Sequence, residues 1–262
     1  MHTIHQVPFV GASPKGDLSS RGVLDVVTVE ATGLKDLSGL IVTGDLQYRE
    51  IAGENATAGR LLGERLADEL ATLADLGELP PAELTGVILT GDLYCGEDFK
   101  RGATGDVRSV WEAFDSHFAF VAGVAGNHDE FGDLLQGEDF RSGPGRHLLD
   151  DEAVSICGLT VGGVGGVVGN PERPNRRGEG TYMGLVAGLL NKPLDALVLH
   201  ESPGFPANGL IGSGRLRSVL EVAPAVTVFC GHSHWSEPLL ELASGLQVIN
   251  VDARCLVLVG TR

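Results

Sequence analysis

Five short apolar runs in this chain each stop at a residue that can bind a cation. Leu40 to Thr43 runs into Gly44-Asp45, Val87 to Thr90 into Gly91-Asp92, and Phe118 to Ala125 into Gly126-Asn127-His128-Asp129. Leu194 to Leu199 ends at His200, and Val226 to Cys230 ends at Gly231-His232-Ser233-His234. Short apolar runs bounded by glycine read as buried strands. In open α/β sheets, sites assemble beyond the carboxyl ends of the strands. The pattern therefore points to an α/β architecture in which carboxylates, an amide and imidazoles converge on one sheet edge.

The segments between these runs fit that architecture. Residues 56 to 76 read as a helix with Leu62, Leu66, Leu70 and Leu73 on one face, stopped by Gly77 and Pro80-Pro81. Helical patterns also cover 107–117, 181–190 and 213–221, the last with Ser213 as a cap. Further strands are expected at 25–30, 153–157, 159–168, 238–242, 246–251 and 255–259. Residues 1–22 are polar and weakly patterned, and read as an irregular N-terminal segment with His2 and His5 in solvent. Residues 133–150 read as irregular too. No repeat or linker interrupts the chain, so 1–262 is expected to form a single domain.

Composition excludes several classes of partner. The net charge of −16 gives a surface that repels phosphate backbones, so long nucleic acid is disfavoured. A small phosphorylated substrate stays compatible, because bound cations dominate the field inside a site. Cys95, Cys157, Cys230 and Cys255 form no CxxC pair and read as reduced and buried. The opening residues lack a basic segment followed by an apolar one, and no apolar run is long enough to span a bilayer. The expectation is a cytoplasmic protein with no membrane partner.

The donor set itself carries chemistry. Mixed oxygen and nitrogen ligands suit Mn, Fe, Zn, Ni or Co better than calcium. The donors are too many for one tetrahedral zinc and fit two divalent ions sharing a carboxylate. Manganese leads the expectation, with Fe, Zn, Ni, Co or Mg as alternatives. Within Gly126-Asn127-His128-Asp129, the amide offers a carbonyl oxygen and the imidazole can move a proton near neutral pH. The carboxylate of Asp129 can receive the imidazole's other N–H.

Asp45-x-Gln47, Gly91-Asp92, Gly126-Asn127-His128-Asp129, His200 and Gly231-His232-Ser233-His234 follow one another in an order that resembles the calcineurin-like metallophosphoesterase superfamily, over about residues 25 to 257. The resemblance implies a four-layer αββα sandwich, two stacked mixed β-sheets flanked by helices. It implies that Asp92 bridges two metals, that Asp45 and His234 join it on the first, and that Asn127, His200 and His232 hold the second. It makes His128 the general acid and Asp129 its orienter. A metal-bridging hydroxide would attack the phosphorus of a small phosphomonoester or phosphodiester while His128 protonates the leaving oxygen. The chain departs from the family at Gln47, where the usual residue is His, so the first metal site is expected to be the weaker. The competing class is a non-catalytic interaction module on the same fold with weakened metal sites.

Substrate-binding candidates lie nearby. Arg173, Arg176 and Arg177 form a cationic loop in an acidic chain, and guanidinium groups grip phosphate bidentately. Tyr48 and Arg49 follow the first motif and are placed to line the site. Tyr94 either stacks on a base or packs under its loop, while Cys95 and Trp235 read as packing residues. Glu201 and Ser202 are expected to support His200 from behind.

Overall fold

The computed structural model describes residues 2–12, 19–52, 57–141, 143 and 145–261. Two large sheets dominate. One has nine strands, in spatial order Arg146–Leu148, Phe120–Gly123, Thr85–Leu89, Gly39–Gly44, Arg254–Gly260, Ser19–Ala31, His2–Ala12, Tyr48–Ala52 and Thr57–Leu61. The other has six, in order Glu152–Ile156, Leu159–Val164, Ala196–Leu199, Thr227–Cys230, Gln247–Asn250 and Leu239–Glu241. In the first, Gly39–Gly44, Thr85–Leu89 and Phe120–Gly123 run parallel. In the second, Leu159–Val164, Ala196–Leu199, Thr227–Cys230 and Gln247–Asn250 do the same. Parallel strands are buried on both faces and read as continuous apolar runs, which is why these segments were visible in the sequence.

Among the described residues five α-helices accompany the sheets: α1 Leu62–Asp75, α2 Arg108–Asp115, α3 Leu134–Arg141, α4 Glu179–Leu190 and α5 Gly214–Leu220. In α1, Leu62, Leu66, Leu70 and Leu73 are buried at helical spacing, each contributing about 1.5–3 kcal/mol by leaving water. Gly77, with φ +75°, ends the helix in the left-handed conformation that a side chain resists. Ser213 caps α5 by accepting a hydrogen bond from Leu216 N at 3.1 Å.

Strand alternation sends neighbouring side chains to opposite faces. Ile41, Val87 and Val121 join a core with Leu66 and Leu70 of α1 and Trp111 and Phe114 of α2. Their neighbours Val42, Ile88 and Ala122 join Val161, Val198 and Phe229 of the six-stranded sheet. Leu197 and Val228 join Tyr182, Val186, Leu216 and Leu220 of α4 and α5.

Three segments differ from the sequence expectation. Residues 2–12 and 19–22 are not an irregular tail but belong to a long antiparallel hairpin, with Val7 opposite Leu24; residues 1 and 13–18 lie outside the described residues. A register shift between Thr3 and His5 breaks the alternation that would have revealed the strand. His5 is half-buried and its Nε2 pairs with Glu69 of α1. Residues 57–61 pair with Tyr48–Ala52, so the helix starts at Leu62 rather than 56. The stretch 133–150 contains α3 and the edge strand Arg146–Leu148. Of the four free cysteines, Cys95, Cys230 and Cys255 are buried and Cys157 is half-buried. Among the described residues no helix is long and apolar enough to cross a membrane.

Candidate metal centre

The strands Gly39–Gly44, Thr85–Leu89, Phe120–Gly123, Ala196–Leu199 and Thr227–Cys230 deliver Asp45, Asp92, Asn127, His200 and His232 to their carboxyl ends. Asp45, Asp92 and His232 carry φ of +52°, +54° and +66°. A non-glycine residue there costs about 1–3 kcal/mol and persists only when its surroundings over-determine it. The surroundings do so through close backbone approach. A Cβ on Gly126 would collide with Asp92 N and Oδ1, and one on Gly231 would collide with Asp45 Oδ2. With no side chain at 231, His232 N donates to Asp45 Oδ2 at 2.9 Å. The turns are built so that each ligand-bearing loop holds the next.

Potential ligand atoms of Asp92, His200 and His232 lie within 4.8 Å of one another. His200 is fully buried, and its Nδ1–H donates to Thr90 O at 2.8 Å. In the neutral ring the lone pair is therefore on Nε2. That nitrogen faces Asp92 Oδ2 at 3.4 Å and Asn127 Oδ1 at 3.3 Å. A lone pair confronting two acceptor oxygens inside the protein needs a cation between them. In the metal-free protein a proton fills that role. Burial would depress the His200 imidazole, but the Asp92 charge and hydrogen bond outweigh it and push it up to about 10. Burial likewise raises Asp92, and His200 and His128 over-compensate, bringing it down to about 2. The donor set thus fits a divalent ion on this structure's own chemistry.

Asp45 is buried, and desolvation holds its carboxyl well above the usual range. His232 sits 5.1 Å from the His200 ring. Desolvation and the His200 charge push His232 down to about 4, although the residue keeps an exposed edge. Such a ring keeps its lone pair free for a metal at neutral pH. His234 is exposed, with Nδ1 at 2.8 Å from Asp252 Oδ2. Gln47 turns its amide N–H, not its oxygen, to Asp92, with Nε2 donating to Oδ2 at 3.2 Å.

Among the described residues no hydrogen bond joins Asp129 to His128, the ring it was expected to orient. The buried Asp129 carboxylate accepts hydrogen bonds from the backbone N–H groups of Asp92, Leu93 and Gly126, each at 2.8 Å. It clamps the Asp92 loop to the Asn127 loop. Burial and the nearby Asp92 raise it to about 6. His128 is half-buried; its backbone N–H donates to Asp92 Oδ1 at 2.9 Å, and its Nδ1 lies 3.4 Å from Thr104 Oγ1. The pairing of Gly105–Asp106 with Asp129–Glu130 brings Thr104 there.

The expected substrate residues separate. Arg177 is committed to the fold, donating to Gly165 O at 2.5 Å and pairing with Asp150 Oδ2 at 2.6 Å. Arg176 is near enough to His232 for its charge to be felt there, and Arg173 is exposed. The loop carrying them is stitched to the site by Asn175, whose Nδ2 donates to Asp129 O at 2.8 Å. Arg49 spends its guanidinium on Cys95 O and Gly59 O, both at 2.7 Å, and Tyr48 stacks on Phe9. Tyr94 packs partly buried against the core, and Trp235 is fully buried. Ser202 Oγ donates to Gly231 O, and Glu201 accepts from Val168 N. Asp252, Thr104 and Asn175 went unmarked in the sequence. For Asp252 the signal was present, since it follows a sixth apolar strand, Gln247–Asn250, at the same edge.

The sequence profile of the calcineurin-like phosphoesterases matches residues 40–236. The chain belongs to the calcineurin-like phosphoesterase family. The matched span runs from within the strand before Asp45 to two residues past His234. Family chemistry is metal-dependent hydrolysis of phosphoesters, and the clustered Asp92, His200 and His232 are a group that could hold a metal ion. Comparison with curated proteins finds no significant match.

Proposed function

We propose that this calcineurin-like phosphoesterase hydrolyses a small phosphomonoester or phosphodiester using two divalent ions, manganese foremost, held by Asp45, Asp92, Asn127, His200, His232 and His234. The observation that carries the reading is the approach of His200 Nε2 to Asp92 Oδ2 at 3.4 Å and to Asn127 Oδ1 at 3.3 Å, a gap that a proton bridges in the metal-free protein and that a divalent ion can take over. Bound divalent ions supply neutralisation of phosphoryl oxygen charge and activation of water. The chain's own residues do the rest. Asp129 holds the Asp92 and Asn127 loops in register through three backbone hydrogen bonds. His128, half-exposed at the rim with Thr104 on Nδ1, gives a proton to the leaving oxygen as general acid. Arg176, half-buried beside Asn175 on the loop tied to Asp129 O, is the cation we assign to a substrate phosphate.

The proposal includes a four-layer αββα sandwich, supported by the three apolar clusters that cover both faces of each sheet. It keeps the protein in the cytoplasm, a setting that suits four free cysteines. Gln47, donating to Asp92 instead of offering a ligand oxygen, is the feature that favours the non-catalytic alternative.

The experiment is a hydrolysis screen of metal-depleted protein restored with Mn, Ni, Zn or Mg. Phosphomonoesters, cyclic nucleotides and dinucleoside polyphosphates serve as substrates. The proposal expects metal-restored turnover of at least one class. Stoichiometric metal uptake with no turnover of any class would favour the non-catalytic module.

A further inference from the structure

His234 is an expected ligand that stands largely in solvent, with its side chain 66% exposed. An exposed imidazole on a loop has two tautomers and free rotation, both unfavourable for metal binding. The structure answers this from outside the family-matched span. Beyond residue 236, three alternate residues fasten three consecutive residues of the histidine loop. Asn250 Nδ2 donates to Ser233 O at 2.9 Å, Asp252 Oδ2 meets His234 Nδ1 at 2.8 Å, and Arg254 Nη2 donates to Trp235 O.

Asp252 is itself held. Its backbone N–H donates to Asn250 Oδ1 at 3.1 Å, and the residue bridges to Gly44, just before Asp45. Its side chain is 16% exposed, so a partly buried carboxylate fixes an exposed ring. Asp252 therefore touches the Asp45 and His234 loops, two of the three expected to furnish the first metal site, while Gln47 faces Asp92, on the third, with a donor.

We infer that Asp252 is a positioning residue for metal binding: by accepting the Nδ1–H of His234 it sets that ring's tautomer and aims the Nε2 lone pair at the metal edge, offsetting the missing imidazole at position 47. This rests on the metal reading above, and it assigns a role to a residue outside the matched motifs. Carboxylates behind metal-binding histidines change metal affinity by about 10–100-fold when removed.

The test uses the full chain, depleted of metal, with Mn2+ as the probe. Imidazole nitrogen-15 NMR of the metal-free protein should show His234 as the Nδ1–H tautomer. In Asp252→Ala that ring should shift toward the Nε2–H form, and calorimetric Mn2+ affinity should fall by about 10–100-fold. Asp252→Asn retains an acceptor oxygen and similar volume. It should keep the tautomer and lose less affinity, and it keeps the test readable if the alanine variant does not fold. Adding Asp252→Ala to His234→Ala should lower affinity no further, since the two act through one ring. An unchanged tautomer in Asp252→Ala, or equal losses in the asparagine and alanine variants, overturns the inference and leaves simple charge attraction. Absence of Mn2+ binding to the wild type would instead overturn the metal reading, while the tautomer result still decides the role of Asp252.

Discussion

The same strands build two very different ends. At their carboxyl ends stand Asp45, Asp92, Asn127, His200 and His232, with buried charge, positive φ and glycines pressed against neighbouring loops. At the opposite end, Leu40, near the start of its strand, and Ala196, Thr227 and Gln247, which begin theirs, line a cleft of about 630 Å3 together with Leu159, Phe229, Ile249 and Leu258. One end gathers carboxylates and imidazoles into a donor set that could hold a cation. The other holds aliphatic packing whose gaps cost stability alone. The strands Gly39–Gly44, Ala196–Leu199 and Thr227–Cys230 serve both ends, so the difference there lies in the residues at the strand tips and not in the scaffold. Substitutions at the two ends should therefore have separable consequences.

The largest effect is expected at Asp92, whose oxygens meet Gln47, His128 and His200. Asp92→Asn should abolish hydrolysis and lower the divalent-ion content measured by elemental analysis. Full metal retention would break the assignment of this end as the metal edge. Next comes His128→Ala, expected to slow turnover by about 10²–10⁴-fold with metal content intact. The loss should shrink for nitrophenyl esters, whose leaving group needs no proton; an equal loss for poor leaving groups would exclude the acid role.

Gln47→His should act more gently. It replaces the amide donor on Asp92 Oδ2 with an imidazole, and should tighten binding by roughly tenfold with preference moving toward zinc. Calorimetric titration of the metal-depleted pair of proteins checks this, and identical isotherms would make Gln47 a packing residue. The smallest effect on the site is expected from the far end. Phe229→Ala, at a residue 2% exposed, should cost about 3–5 kcal/mol in urea unfolding while the folded protein keeps its Mn2+ affinity within twofold. A matching loss of metal affinity would show that the two ends are coupled.

The metal edge was legible because buried parallel strands are written as short apolar runs, and glycine marks where each one stops. The helix α1 was legible from Leu62, Leu66, Leu70 and Leu73, except for its start, because the strand Thr57–Leu61 abuts it without a break. The N-terminal hairpin was hidden by its register shift at Thr3/His5 and by polar residues facing solvent. Asp129 misled for a different reason. Adjacency to His128 suggested a local partner, whereas its carboxylate reaches the Asp92 loop, 37 residues away in the chain. Asp252 was missed because Val251 precedes it where the other tips, His200 aside, have glycine. Contacts between loops that share no sequence neighbourhood leave no periodic trace.

The most direct measurement is an anomalous-scattering crystal structure of Mn2+-loaded protein. The account predicts manganese in contact with Asp92, His200 and His232, with His200 Nδ1 still donating to Thr90 O. Manganese bound elsewhere, or a His200 side chain whose Nε2 contacts no ion in the loaded crystal, would contradict it.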